Sequence, residues 1–428
     1  MKRVLIIAYF FPPASNMGSH RILRFVRHLR EHGWEPVVLT GQFPGCPQVD
    51  ERLLERVPAD VEVHRVSSVD LADVWHRLTG RKKSGKVQGR ETTPVASQGL
   101  TTFLNRWVMV PDKYFPWIGP AARAGRRLLA ERRFDAIYST LDPASAHLVA
   151  RRIARATGVP WVAEFRDLWL GSPYFSRAQP TALHRAIHAQ MERQVVREAR
   201  LIVALSRGIH EYFTYTYPTR NCRLVYNSFD PGEYGPLPAP SPGFTVVYAG
   251  ALYSSRSPAP FLAGWAEFVR QRQLGPAEAH FEIVGGSTDL DLAALARQQQ
   301  IESHVRLVGR VPHAEALRRM QASTVLLAIQ SPDDVVHVPG KLFEYIGARR
   351  PILLVSRPCE VAELIAQEQL GWVAAPEPAA VAARLSEVYD QWLAHGHAGL
   401  MVNAADRFSI AATTRQLAEL LATAGRAQ

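Results

Sequence analysis

Short apolar runs of strand length alternate along this chain with stretches whose apolar positions recur every three or four residues. Val4–Phe10 reads as a strand, and Ser19–His32 as a helix carrying Ile22, Leu23, Phe25, Val26 and Leu29 on one face. Strands at Glu35–Thr40 and Val61–Val66 follow, then Ala136–Thr140, a helix over Ser145–Thr157, and strands at Val159–Glu164 and Leu201–Leu205. Residues 231–243 hold five prolines and three glycines and read as a linker. Beyond it the alternation resumes with a strand at Thr245–Ala249, a helix over Pro258–Gln271, a strand at Phe281–Val284 and a helix over Leu290–Gln300. Val305–Leu307, Ala314–Gln321, Val325–Ala328, Lys341–Ala348 and Pro351–Val355 continue the strand–helix rhythm. Such alternation predicts right-handed crossovers on parallel sheets, hence an α/β chain of two Rossmann-like domains. The expected boundaries are 1–230, the linker 231–243, 244–405, and a C-terminal helix at 406–428 packing back toward the first domain. The cleft between two such sheets is the default ligand site.

A length of 428 residues suits two domains, each of about 200 residues. The opening Met1-Lys-Arg and the apolar run after it imitate a signal peptide, but Pro12-Pro13 ends the run too early, so a buried first strand is expected. No run of 18 apolar residues occurs, and Cys46, Cys222 and Cys359 lie far apart in no disulfide or metal spacing. A reducing, cytoplasmic setting is the expectation, with the chain peripheral at the inner face of a membrane as an extension of it. The net charge of +11 is uneven: residues 1–220 hold 33 Lys and Arg against 19 Asp and Glu. That excess fits either an anionic partner of the first domain, such as a membrane surface or a phospholipid-linked acceptor, or ordinary solvated arginines. The polar, basic stretch 79–99 reads as a loop.

Four segments carry candidate chemistry. In the first βα loop, Gly18 and Ser19 stand where a helix begins, offering backbone N–H groups to an anion or simply an ordinary helix start capped by Ser19. Glu164-Phe-Arg166-Asp167-Leu-Trp169 follows a strand, where Asp167 reads as orienting an acceptor hydroxyl and Arg166 as binding an anionic group, or the two as a structural pair. Gly250 ends the first strand of the second domain, and Arg256 follows it in a polar loop, poised for a diphosphate or exposed to solvent. Lys341 and Glu344 share a face at a helix start, as a phosphate-binding cation with a hydroxyl-binding carboxylate, or as an internal ion pair.

The run Gly340-Lys-Leu-Phe-Glu-Tyr345 with Arg350-Pro-Ile-Leu353 resembles the donor-site segment of family 4 glycosyltransferases. Further matches run along nearly the whole chain: Tyr9 to Pro13, the glycine loop, Trp161 to Trp169, Tyr226 to Asp230, Tyr248-Ala-Gly250, Ile283-Val-Gly285 and Leu307 to Pro312. The resemblance implies a GT-B fold and transfer of a sugar, with retention and without metal, from a UDP- or GDP-linked donor to an acceptor such as a polysaccharide or lipid-linked glycan. It implies that Glu344 binds the donor ribose, that Lys341 and Arg256 neutralise the diphosphate, and that Gly18 faces diphosphate and acceptor. Arg310, Val311 and Pro312 fall in the segment that touches the base, and Gly250 and Leu342 lie within donor-binding stretches. Arg256, Lys341 and Asp167 are thereby the catalytic candidates, and Asn16, Arg166 and Asp167 the acceptor-binding ones. One departure stands out: the first glutamate of the family's paired motif would be at position 336, where this chain has Val336, with Asp333 and Asp334 nearby.

Val336 keeps a non-catalytic nucleotide-sugar or envelope-assembly binding protein in view, and an epimerase on the same fold is the enzymic rival. Asp289-Leu-Asp291 imitates a metal-binding pair but starts an amphipathic helix, so capping is expected. The 15 histidines include no metal-ligand spacing, and the basic residues surround no nucleic-acid reading motif. Phe103, Trp107, Tyr114, Phe115 and Trp117 beside Arg106, Lys113, Arg123, Arg126 and Arg127 read either as a lipid-interface patch or as packing aromatics beside a solvated basic helix.

Overall fold

A computed structural model of the chain describes residues 1–42, 49–67, 110–171, 181–218, 220–287, 289–332 and 336–426. The predicted loop at 79–99, and Cys46, Phe103, Arg106, Trp107, Asp333 and Asp334, lie outside the described residues. The chain divides into two compact units, Met1–Asn227 with Ile410–Gln428, and Ser228–Ser409.

In the first unit, β1 (Lys2–Ile7), β2 (Trp34–Gly41), β3 (Glu62–Val66), β4 (Ala136–Leu141), β5 (Trp161–Phe165), β6 (Leu201–Ala204) and β7 (Cys222–Leu224) form one parallel sheet. Their order is β3-β2-β1-β4-β5-β6-β7. Helix α1 (Met17–His28) follows β1, α2 (Ile118–Glu131) precedes β4, and α3 (Ser145–Thr157) joins β4 to β5. α4 (Ala182–Glu198) joins β5 to β6, and α5 (Arg207–Thr216) joins β6 to β7. The helix predicted to reach His32 ends at His28, and a 3-10 turn over Leu29–His32 closes on Gly33 in the left-handed region. The apolar stripe of α1 enters a core with Val4, Ile6 and Tyr138, joined by Leu417, Ala418, Leu421 and Ala424 of the C-terminal helix Ile410–Arg426.

The second unit repeats the plan. β8 (Phe244–Leu252), β9 (Ala279–Ser287), β10 (Val305–Gly309), β11 (Val325–Ile329), β12 (Ile352–Val355) and β13 (Gly371–Ala374) form a parallel sheet ordered β10-β9-β8-β11-β12-β13. Its helices are α6 (Ala259–Gln271), α7 (Leu292–Gln298), α8 (His313–Ala322), α9 (Gly340–Ala348), α10 (Glu360–Gln367) and α11 (Pro378–Gly399). The proline-rich stretch 231–243 counts with this unit: Tyr234 Oη donates to Glu344 O at 2.7 Å, and Ser241 N to Ala322 O at 2.8 Å.

Each sheet reverses its strand order beside its first strand, between β1 and β4 and between β8 and β11. The carboxyl ends of strands at such a reversal diverge and leave room for a ligand. In the second unit that place is bounded by the loop after β8 and the start of α9, which follows β11.

Candidate functional site

In the second unit the structure brings Gly250, Arg256, Lys341 and Glu344 together. Helix α9 starts after Pro339 with no side-chain cap, and in its first turn Leu342 N donates to Pro339 O at 3.0 Å. Lys341 lies in that first turn. Its Nζ stands 3.8 Å from the centroid of the Tyr248 ring and donates to Tyr248 Oη. Burial, and next the Arg256 charge, push the lysine well below its usual pKa, with Glu344 opposing them. Of the two sequence readings for Lys341 and Glu344, the internal ion pair gives way to separate partners: Glu344 Oε1 is 3.2 Å from His313 Nε2.

Arg256 is held in a tight loop. Its backbone N donates to Tyr253 O at 2.7 Å and its guanidinium lies 5.2 Å from the Tyr253 ring centroid. Its Nε is buried and has no hydrogen-bond partner among the described residues. Asp289 accepts from Ser254 N at 3.1 Å and so braces the same loop, while Asp291 caps α7 by accepting from Ala294 N at 2.9 Å. The pair that imitates a metal motif is therefore spent on loop and helix geometry. Among the described residues no group of three His, Cys, Asp or Glu side chains is placed to hold a metal ion.

Two glycines let the parts approach. Gly250 (φ +129°) pairs with Gly285 (φ +137°) across β8 and β9. A Cβ on Gly250 would fall 2.9 Å from Lys341 Nζ, and one on Gly285 only 2.1 Å from Gly250 O. At Gly285 both the backbone conformation and the space demand glycine, and at Gly250 the positive φ does. Gly285→Ala is expected to destabilise the protein by at least about 2 kcal/mol, read as a lowered denaturant midpoint.

Tyr345 seats the helix on the sheet. β11 pairs with β8 only at Val246 and Val247; past that point Tyr345 Oη accepts from Ala249 N at 2.9 Å and donates to Leu327 O at 3.1 Å. One hydroxyl thus bridges strands that no longer pair directly, and Lys341 sits one turn before it. The remaining donor-side candidates are peripheral to this cluster. Leu342 is buried in the core, Arg310 is exposed, and Val311 is half-buried two residues before His313. Val336 is half-buried.

In the first unit, Asn16, Gly18 and Arg166 meet. Asn16 Oδ1 accepts from Ser19 N at 2.8 Å, so the cap of α1 is Asn16 and not the expected Ser19, which lies within the first turn and donates. The Arg166 guanidinium lies flat over Gly18: a Cβ there would be 2.6 Å from both Nη1 and Nη2 and 2.7 Å from Cζ. Arg166 Nε donates to Thr140 Oγ1 at 3.0 Å and Nη2 to Asp142 O at 3.1 Å. Thr140 Oγ1 in turn donates to Glu164 Oε2 at 2.8 Å, and Glu164 forms a fully buried ion pair with Arg21 at 2.7 Å. Asp167 is exposed beside them. Trp169, the last residue of the motif, is buried and donates to His188 Nδ1 at 3.0 Å.

The aromatic–basic segment divides. Trp117 is buried, Tyr9 lies 5.2 Å from it and 4.2 Å from Tyr114, so this part packs the fold. Arg123, Arg126 and Arg127 remain on the exposed side of α2. Among the described residues no helix is long and apolar enough to cross a membrane.

Sequence reading did not single out His313, Tyr345 or Asp289 as site residues, and it noted Tyr248 only as part of the Tyr-Ala-Gly turn. Their partners lie 31, 96, 35 and 93 residues away, so no local spacing announces them. The one local hint is polarity: Tyr248 puts a hydroxyl among Val246, Val247 and Ala249 in a buried strand.

Comparison with known proteins identifies the family and the fold. Residues 18–228 match the family model described as Glycosyl transferase 4-like domain, and residues 243–391 match Glycosyl transferases group 1. No curated protein matches the chain by sequence. Among solved structures, Anabaena Alr3699/HepE in complex with UDP is similar, with a TM-score of 0.64 and 15% identity over 99% of this chain and 100% of that one. The lipopolysaccharide outer core galactosyltransferase WaaB, in its apo form, gives 0.57 and 15% over 99% of each chain. Trehalose-6-phosphate from E. coli bound with UDP-2-fluoro glucose gives 0.62 and 12% over 100% of both chains. At such identities the likeness concerns the fold, which is GT-B. With both halves matched by glycosyltransferase family models, the protein belongs to the GT-B glycosyltransferases, an enzyme that joins a glycosyl transferase 4-like domain to a glycosyl transferases group 1 domain.

Proposed function

We propose that this glycosyltransferase takes its sugar from a UDP-linked donor bound in the second unit and transfers it with retention, without metal, to a glycan or lipid-linked acceptor. The observation that carries the reading is the cation pair at the start of α9: Lys341 beside Arg256, whose Nε is buried with no hydrogen-bond partner among the described residues. A lysine and an arginine at a helix start without a side-chain cap suit a diphosphate, whose negative charge favours the ammonium form, and they supply stabilisation where the leaving group gathers charge. Glu344, one turn further, offers a carboxylate to the ribose hydroxyls, with His313 setting its orientation. UDP as the carrier is supported by the UDP-containing complexes of HepE and of the E. coli protein. Arg310 and Val311, ahead of His313, are proposed to touch the base.

On the acceptor side, Arg166 over Gly18, with Asn16 and Asp167, forms a polar surface in the first unit, and Asp167 is proposed to orient the attacking hydroxyl. The surplus of basic residues over 1–220 and the exposed arginines of α2 support an anionic acceptor or a membrane-surface setting in the cytoplasm. No cofactor beyond the nucleotide sugar is needed in this scheme. The test is the anomeric configuration of the first-formed product, followed by NMR with a UDP-sugar panel. The α-configured donor is expected to give an α-linked product, and clean inversion would overturn the retaining assignment.

A further inference from the structure

Resting on the donor-site reading above, we infer that Tyr248 is a positioning residue for the transfer reaction, holding the Lys341 ammonium beside Arg256 through both its ring face and its hydroxyl. The argument starts with the strand. Tyr248 is fully buried in the middle of β8, in the core that also holds Val246, Leu252 and Phe281, so its ring has no freedom to follow a moving partner. Lys341 Nζ lies 3.8 Å from the ring centroid, a favourable place for a cation over a π-face.

The hydroxyl adds direction. A phenol has one proton to give and lone pairs to receive. Tyr248 Oη gives its proton to Ala251 O at 2.9 Å, so toward Lys341 it acts as an acceptor. Ala251 lies near the end of β8, the strand that runs on into the loop carrying Arg256, and the arginine's charge also acts on the Tyr248 hydroxyl. One oxygen therefore ties the helix that brings the lysine to the end of β8, just ahead of the loop that brings the arginine.

The choice of tyrosine has a chemical reason. A carboxylate at this place would fix the ammonium equally well but cancel its charge. Tyr248 stays neutral, since burial pushes its hydroxyl above the ordinary tyrosine range. The positive charge of Lys341 thus remains available to a diphosphate. The other groups acting on it are Arg256 and Glu344, with Tyr253 acting on the Tyr248 hydroxyl and His313 reaching Glu344. None of the sequence motifs assigned to the donor site includes this residue as a contact; it acts through Lys341.

Tyr248→Phe keeps the ring and removes the acceptor. Turnover is expected to fall on the order of ten- to a hundredfold while KM for the nucleotide sugar changes by less than about threefold, because misplaced charge costs the transition state more than the ground state. The alkaline limb of the pH–kcat/KM profile is expected to move to lower pH, since the desolvated ammonium loses an acceptor that favours its charged form. Should the phenylalanine variant not fold, 3-fluorotyrosine at position 248 supplies an isosteric ring with a poorer acceptor and is expected to move the same limb in the same direction. Wild-type turnover with an unmoved limb would overturn the role. Lys341→Ala, measured alongside, separates the two claims: a loss there with a normal Tyr248→Phe sinks only the positioning role, whereas wild-type UDP binding and turnover in Lys341→Ala sinks the donor-site reading itself.

Discussion

Lys341→Ala is expected to lower kcat/KM by on the order of a hundred- to a thousandfold with the fold intact, the largest functional effect of any substitution considered. The magnitude is that of removing one preorganised group that stabilises developing charge in a site from which water is largely excluded. The lysine side chain emerges from the first turn of α9 and rests on Tyr248, so its truncation removes charge without opening the deep core. Glu344→Ala is expected to raise KM more than it lowers kcat, because a ribose contact is made equally in ground and transition states. The pH profile of the wild-type enzyme carries the same message. Burial and Arg256 depress the proton affinity of Lys341, and the ammonium is the form that neutralises a diphosphate. Activity is therefore complete below the folded-state pKa and is lost as pH rises through it, at a lower pH than an unburied lysine would give. Equal activity for Lys341→Ala and wild type in steady-state assays would remove the cation from the site.

The second large effect is on stability. Arg21 and Glu164 form an ion pair 1% and 0% exposed, with Arg21 also donating to Tyr226 O at 2.8 Å. Breaking such a pair leaves the surviving charge buried without its counterpart, at a cost of about 3–5 kcal/mol. Glu164→Ala is expected to lower the melting temperature of the first unit by roughly 10 °C, followed by scanning calorimetry. It is also expected to loosen Arg166, because Glu164 fixes Thr140 and Thr140 accepts from Arg166 Nε. A shift below about 2 °C would show that the pair carries little of the stability.

Much of the architecture was legible because buried parallel strands leave strong marks. Val4–Phe10 and Thr245–Ala249 are nearly unbroken apolar runs, and each became the first strand of its sheet. Cys222–Leu224 escaped notice because three residues with Arg223 at the centre carry no periodic signal, and Gly371–Ala374 because it opens on a glycine. The helix Ala182–Glu198 was also missed: its apolar face is weak, and the buried positions include His184, His188 and Glu192, which read as surface residues in sequence.

The site was legible to the extent that its residues sit in short motifs. Lys341 and Glu344 announce themselves by a three-residue spacing, and Arg166 by following a strand. What the motifs left open was which partner each charge takes. Lys341 turned to a tyrosine in a strand 93 residues away, and Glu344 to a histidine 31 residues away. Arg166 took a threonine and a backbone carbonyl. These pairings depend on which strands the topology makes neighbours, and the β8–β11 reversal that creates the site is a property of the whole sheet.

The central claim, that the second unit binds a nucleotide diphosphate at Lys341, Arg256 and Glu344, is tested most directly by calorimetric titration of the purified protein with UDP, alongside GDP, and of Lys341→Ala with UDP. The account predicts saturable UDP binding by the wild type that exceeds GDP binding and weakens by at least about tenfold in the variant. Equal UDP affinity in the two proteins, or no nucleotide binding by the wild type at millimolar concentration, would contradict it.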